Sequence, residues 1–254
     1  MNTTADVIVL GAGIAGAAAA AHLALHAKVL LVEAEDQPGR HATARSAATF
    51  FETYGSPAVR ALVRASRDFL LTPPEGFAAV PLMTPRLALF IASAAQMPVL
   101  HEMREDAAIA RVTGLVDVAE ACAQVPILRP ERLAGAMVDN SGFDIDVDAL
   151  FQGFLRRAKA AGAQLLPGAG FEMTIEFRSG VWCVHTRHGT LQAPVLVNAA
   201  GAWADEVARC AGVQTVGLQP LRRTALIIPA PEGIDTAAWP MVVDAQEEIG
   251  RAHV

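Results

Sequence analysis

Val7-Ile8-Val9-Leu10 runs directly into Gly11-Ala12-Gly13-Ile14-Ala15-Gly16, and the next apolar run, Val29-Leu30-Leu31-Val32, ends on Glu33. The order reads as strand, glycine turn, helix and second strand with an acid at its tip. Each residue has a physical task. Gly11 makes the tight turn, Gly13 lets a pyrophosphate approach the backbone, and Gly16 lets the helix lie close to the strand. Ile14 and Ala15 open the helix, where N–H groups and the positive dipole end face the phosphates. Glu33, followed by Ala34, is placed to accept hydrogen bonds from an adenosine ribose, and its charge disfavours a 2′-phosphate. The segment predicts a dinucleotide site rather than a loop.

Two other readings of the same stretch fail on chemistry. Residues 7–27 carry no charge, as a membrane span would, but they are dominated by alanine and glycine, a weak hydrocarbon anchor. A secretory leader needs Lys or Arg before its apolar run, and Asp6 stands there instead. A net charge of −6 with 53% hydrophobic residues fits a chain with a large core and excludes nucleic acid or an anionic membrane as the expected partner. The only lysines are Lys28 and Lys159. Cys122, Cys183 and Cys210 are scattered and odd in number, which fits reduced thiols in a cytoplasmic protein and offers no metal or disulfide framework. His185 and His188 lack a surrounding ligand set and read as surface residues.

Further along, Pro57 to Leu71 reads as a helix with Val59, Leu62, Val63, Phe69 and Leu70 on its apolar face, stopped by Pro73-Pro74. Pro81 to Ala92 has strand character, and helical, loopy sequence follows Met97. Asp146 to Ala161 is a helix that Asp146 or Asp148 can cap and Gly162 ends. Met173 to Arg178 and Val181 to Arg187 alternate around Ser179-Gly180, forming a β-meander that leads into a buried strand, Val195-Leu196-Val197, and then Asn198-Ala199-Ala200-Gly201-Ala202-Trp203. Small residues such as Ala200 and Gly201 after a parallel strand leave room for a ligand, or for a packed helix.

Four blocks together resemble the flavin-dependent amino-acid oxidoreductases, the family of D-amino-acid, glycine and sarcosine oxidases. They are the N-terminal βαβ, the loop from His41 to Tyr54, Asp144-Ile145-Asp146 before a helix, and Val197 to Trp203. Within the family the D-arginine dehydrogenase group is most alike, through Gln37-Pro38-Gly39, Arg45-Ser46-Ala47-Ala48, Tyr54-Gly55, Leu218-Gln219-Pro220 and Trp239-Pro240-Met241. The resemblance implies noncovalent FAD with its adenosine half on the first βαβ. It also implies that the loop Ala42, Thr43, Ala44, Arg45, Ser46, Ala47, Ala48 and Thr49 lies under the flavin ring. By composition alone that loop could equally be a connector.

The implied fold is α/β: a Rossmann-like FAD-binding domain with a β-meander (1–80 and 145–215), interleaved with an α+β substrate domain (81–144 and 216–248). The implied reaction is oxidative deamination of a D-amino acid to a 2-oxo acid through an imine, with hydride passing from Cα–H to flavin N5 and onward to an unknown electron acceptor. Such a site needs an arginine fork for the substrate carboxylate. Leu221-Arg222-Arg223-Thr224 supplies two, and the resemblance selects Arg223; two solvated arginines on an edge strand is the competing reading. Tyr54, the chain's one tyrosine, and Thr49 take substrate-side positions by the same resemblance. Two departures bear on specificity. Ala88 stands where the D-arginine enzymes place an acid, and Thr49 and Phe51 replace their His and Thr. A preference for neutral or apolar D-amino acids follows, unless Glu52 supplies the missing charge.

The resemblance fades near Glu247, so the expectation includes a missing C-terminal part and, over 249–254, a non-native tail whose residues match a translated sequencing adapter. A nicotinamide-dependent dehydrogenase and a non-catalytic nucleotide-binding fragment are the competing functions. The Asn198 to Trp203 block counts against the first.

Overall fold

The computed structural model describes residues 2–222, 224, 226, 228–230 and 232–246. The chain divides into two compact units, one of residues 1–47, 73–82 and 146–222, the other of residues 48–72, 83–145 and 223–254.

The first unit holds two sheets. β1 (Asn2–Thr4) is followed by β2 (Val7–Leu10), α1 (Ile14–Leu23) and β3 (Val29–Val32). Every side chain of β2 and β3 is buried, which is why these strands read as unbroken apolar runs rather than alternating ones. α1 contains the unbroken alanine run of residues 17–21. Its small residues build no strong apolar stripe; they let the helix lie close against β2, β3 and the later helix α6 (Val147–Ala160). Later in the chain, β10 (Gln164–Leu166) joins β3, and β14 (Val195–Asn198) joins β2, giving a parallel sheet ordered β10-β3-β2-β14. The meander strands β11 (Thr174–Arg178), β12 (Val181–Thr186) and β13 (Gly189–Ala193) pair antiparallel, and β1 adds to β13 in parallel. Residues from both sheets, including Ile8, Leu30, Ile175, Val184 and Leu191, form one core. Burying each such side chain is worth about 1.5–3 kcal/mol.

α6 (Val147–Ala160) starts where Asp146 accepts the Ala149 N–H at 2.8 Å, and Gly162 follows its last turn at φ +92°. Between the candidate caps Asp146 and Asp148, the structure selects Asp146. α7 (Ala204–Cys210) closes the unit against β11 and β14. β14 differs from its sequence reading. It is an edge strand, half-exposed with Val195 open to solvent, because among the described residues nothing pairs on its far side.

The second unit is built on β6 (Ala88–Ala92), β7 (Thr113–Val116), β8 (Gly135–Asp139) and β15 (Met241–Asp244), ordered β15-β6-β8-β7, and on a small sheet of β4 (Thr49–Phe50), β9 (Phe143–Ile145) and β5 (Met83–Pro85). The stretch read as one strand from Pro81 to Ala92 is therefore two strands in two sheets, and β7 lies in a region read as helical and loopy. α3 (Met97–Met103), α4 (Ala107–Ala110) and α5 (Val118–Gln124) surround the larger sheet. α2 (Pro57–Leu71) is capped by Ser56, as its sequence suggests, but of its apolar residues only Leu70 is buried, and Leu62 is 70% exposed. Amphipathicity predicted the helix and overstated its burial. In the stretch Leu221 to Thr224, Arg223 lies outside the described residues. Described residues of that stretch form no strand, and Leu221 and Leu226 stand exposed, since a strand needs a neighbour to pair with.

Candidate functional site

The glycine turn is folded as tightly as its sequence demands. Gly11 sits at φ +96°, and a Cβ there would lie 2.5 Å from the Ala199 carbonyl oxygen. A Cβ on Gly16 would lie 1.8 Å from the carbonyl oxygen of Gly11. Neither position tolerates a side chain, and the cause is backbone approaching backbone. Gly11 N–H donates to the Val32 carbonyl, and Ala199 N–H to that of Leu10. The turn is therefore clasped between the end of β3 and the start of the Ala199-Ala200-Gly201 block. Gly201, at φ +56°, opens a 3-10 turn over Gly201–Trp203.

Glu33 is buried and its carboxylate is already engaged. Oε2 accepts the Ala12 N–H at 2.9 Å and Oε1 accepts the Glu35 N–H at 3.0 Å. The acid thus pins the glycine turn to the tip of β3 before any nucleotide is considered. Each oxygen keeps a second lone pair that a ribose hydroxyl could use. Sequence reasoning named the residue but not this bracing task. Ala34 continues the same tip, where its carbonyl accepts the Gly170 N–H at 3.0 Å.

The loop from Ala42 to Ala47 is largely exposed, with a 3-10 turn over Thr43–Arg45. Thr43 Oγ1 accepts the Ile14 N–H at 2.9 Å, so one of the helix's first donors is met by the loop itself. The N–H groups of Gly13 and Ala15 have no acceptor among the described residues, and Ala15 is exposed. These are the donors a pyrophosphate takes. A glycine-lined helix start with spare N–H groups, an exposed small-residue loop above it and an acid at the adjacent strand tip form a donor set that fits FAD's adenosine and pyrophosphate.

Other candidates lie in the second unit. Ala48 adopts φ +55°, rare for a residue with a Cβ, and its carbonyl accepts the Ile145 N–H at 2.7 Å. Thr49 pairs across β4 with Asp144, and Tyr54 is 47% exposed. The intervening segment is held by a polar core the sequence did not announce. Asp139, fully buried, accepts the Thr53 hydroxyl, and the Ser141 N–H and Oγ–H at 2.7 Å each. Ser141 Oγ in turn accepts the Glu52 N–H at 3.2 Å. No pattern of spacing links residues 53 and 139; only the pairing of strands brings them together.

Of the positions that bear on specificity in the sequence, Ala88 and Phe51 come together. Ala88 is fully buried in a cluster with Phe51, Met241 and Val243. Glu52 is paired with Arg67 at 3.3 Å. Arg86 binds Asp144 through Nε and donates from Nη1 to the Trp239 carbonyl at 2.9 Å. Arg223 lies outside the described residues, as does the 249–254 tail. Among the described residues no group of His, Cys, Asp and Glu could hold a metal, and no helix is long and apolar enough to cross a membrane.

Comparison with known proteins agrees with this geometry. Mouse mitochondrial sarcosine dehydrogenase is 30% identical over 156 residues, which is 58% of this chain and 16% of that protein. The glycine oxidase of Geobacillus kaustophilus superposes with a TM-score of 0.74 at 23% identity, over 84% of this chain and 59% of that one. The L-α-glycerophosphate oxidase of Mycoplasma pneumoniae, solved with FAD bound, superposes with a TM-score of 0.73 at 17% identity, over 82% of this chain and 57% of that one. The chain thus spans about a sixth of the sarcosine dehydrogenase and under two thirds of either solved oxidase, and at such identities the two structures speak for the fold alone. The family model described as DAO, FAD-dependent oxidoreductase, matches residues 6–251. With the glycine turn, the acid-tipped strand and the meander all inside that match, the chain belongs to the DAO family of FAD-dependent oxidoreductases.

Proposed function

We propose that this chain is the FAD-holding part of an amino-acid oxidoreductase that deaminates D-amino acids to 2-oxo acids, with an imine as the first product. The observation that carries the cofactor is the clasped turn at Gly11 and Gly16, with spare helix N–H groups beside Thr43 and the acid Glu33. When bound, FAD supplies the two-electron sink for the substrate's Cα hydride.

The chain's own residues have the other tasks. Gly13, Ile14, Ala15 and Gly16 present the helix start to the pyrophosphate, and Glu33 with Ala34 meets the ribose. Ala42, Thr43, Ala44, Ser46, Ala47 and Ala48, with Ala200 and Gly201, offer small side chains and backbone amides to the ring half of the cofactor, and Arg45 offers its backbone amide. Arg223 is assigned to the substrate carboxylate, and Tyr54 and Thr49 to its orientation. The amine must be unprotonated for its lone pair to drive hydride loss, and the imine then takes up water and releases ammonia.

The test is spectroscopic. The whole enzyme to which this chain belongs, purified and supplied with FAD, should show flavin absorption that bleaches when a D-amino acid is added without oxygen. Yellow protein that no amino acid bleaches points to a nucleotide-binding module. Protein that never retains FAD overturns the reading.

A further inference from the structure

His41 occupies a junction that none of the tasks above uses. Its Nε2 lies 2.9 Å from Glu35 Oε1, at the tip following β3, and Arg40 Nη1 lies 3.3 Å from the other oxygen of the same carboxylate. The imidazole also lies against the indole of Trp203, with ring centroids 4.7 Å apart at 57°. Phe171 flanks the other ring of that pair at 5.9 Å from Trp203. One side chain therefore joins three separate segments. These are the acid-tipped end of β3, the loop carrying Thr43, and the block that follows β14.

We propose that His41 is a positioning residue for the cofactor loop, acting through Trp203 and Glu35 rather than by touching FAD. The inference rests on the reading that FAD binds here. Two residues beyond His41, Thr43 stands 2.9 Å from the Ile14 N–H at the helix start. The chain turns around both residues, with Ala44 N–H donating to the Gly39 carbonyl at 3.0 Å. With the imidazole fixed at one end, the loop is held over α1 before the nucleotide arrives. Ordering it at binding then costs less. An aromatic contact and a hydrogen bond to a carboxylate both favour this placement of the loop.

The test uses FAD affinity of the chain, measured by equilibrium dialysis, with heat unfolding of the FAD-free protein as a control. His41→Ala and Trp203→Ala should each weaken FAD binding about five- to tenfold. The double variant should be no weaker than the worse single one, because both remove the same latch. His41→Phe keeps the ring contact and loses the Glu35 bond, and His41→Gln does the reverse; each should fall between wild type and His41→Ala. Unfolding temperatures within a degree or two of wild type keep the loss from being general instability. Should His41→Ala unfold, the Phe and Gln variants carry the same test. FAD affinity unchanged in all the His41 variants, or losses that simply add in the double variant, overturns the proposal. Wild-type protein that fails to bind FAD defeats the underlying reading instead, so the two failures are distinct.

Discussion

At the scale of single residues, Glu33 shows how one carboxylate serves structure as well as a ligand. Its two oxygens take N–H donors from opposite sides, Ala12 and Glu35, while the side chain is buried. A glutamine of the same shape must turn an NH2 group toward one of those donors. Glu33→Gln should therefore cost about 1–3 kcal/mol of stability, the penalty for a buried donor left facing another donor. Urea unfolding of the two proteins measures it, and coincident curves would show that the bracing is not energetically real. Ala88 makes the second residue-scale argument. It is packed under Phe51 and Met241, and the neighbouring Glu52 is committed to Arg67. Asp139, opposite Ala88 across the sheet, is taken up by Thr53 and Ser141, so a guanidinium entering such surroundings finds no free carboxylate, and leaving a charge unpaired in a buried site costs about 3–5 kcal/mol. The active enzyme should accordingly show kcat/KM for D-leucine ~100-fold or more above that for D-arginine. Steady-state kinetics with both substrates decides the matter, and a D-arginine advantage refutes the specificity reading.

At the scale of elements, caps explain boundaries that periodicity alone leaves loose. α4 is only four residues long, and Asp106 begins it by accepting the Ala108 N–H at 2.9 Å while pairing with Arg60 at 2.6 Å. The Ala108 N–H has the largest effect and lowers the Asp106 carboxyl below the usual carboxylate range; desolvation opposes it, and the Arg60 guanidinium and the Ile109 N–H add to the lowering. Its folded pKa is thus lower than its unfolded one. The stabilisation is present above the unfolded value and is lost as the pH falls through the folded value. Asp106→Asn should be less stable than wild type near neutrality, and the gap should close as the solution is taken acid through the carboxylate range. Unfolding midpoints across an acid series test this; a gap that stays constant with pH points away from Asp106 ionisation. Among the described helices α5 carries the fullest cap, with Asp117 accepting the Glu120 N–H at 2.8 Å and Glu120 reaching back to accept the Asp117 N–H at 3.1 Å. That box is readable as Asp-Val-Ala-Glu within the helical, loopy sequence that follows Met97.

At the scale of the whole molecule, the two units differ in how far the sequence anticipates them. The first is made of locally legible pieces. A βαβ start, a capped helix and a meander each announce themselves by period and by turn chemistry. The second depends on distant pairings, such as β6 beside both β8 and β15, which no local window contains. Beyond α7 the described residues show neither helix nor strand until β15, and several apolar side chains there are open to solvent, Leu221 at 86% and Val216 at 82%. Trypsin should therefore cut first at Arg222, ahead of Arg178 at the end of a paired strand. Mass spectrometry of early fragments checks this, and an initial cut within the meander contradicts it.

The residues that shape the glycine turn, its acid and its strands were determined by sequence alone, because they obey short-range rules. A tight turn needs glycine, a helix start needs a cap, and a doubly covered strand needs an unbroken apolar run. The sequence also carried the family, through blocks that the match over 6–251 contains. Only the tertiary structure decided that Glu33 braces the turn, that Thr43 meets the helix start, that Phe51 lies on Ala88, and that β14 is an edge. Each depends on which distant segment arrives alongside. The buried Asp139 is the clearest instance. Its partner Thr53 is 86 residues away, and the free energy of satisfying a buried carboxylate is defined only once folding has removed water from around it.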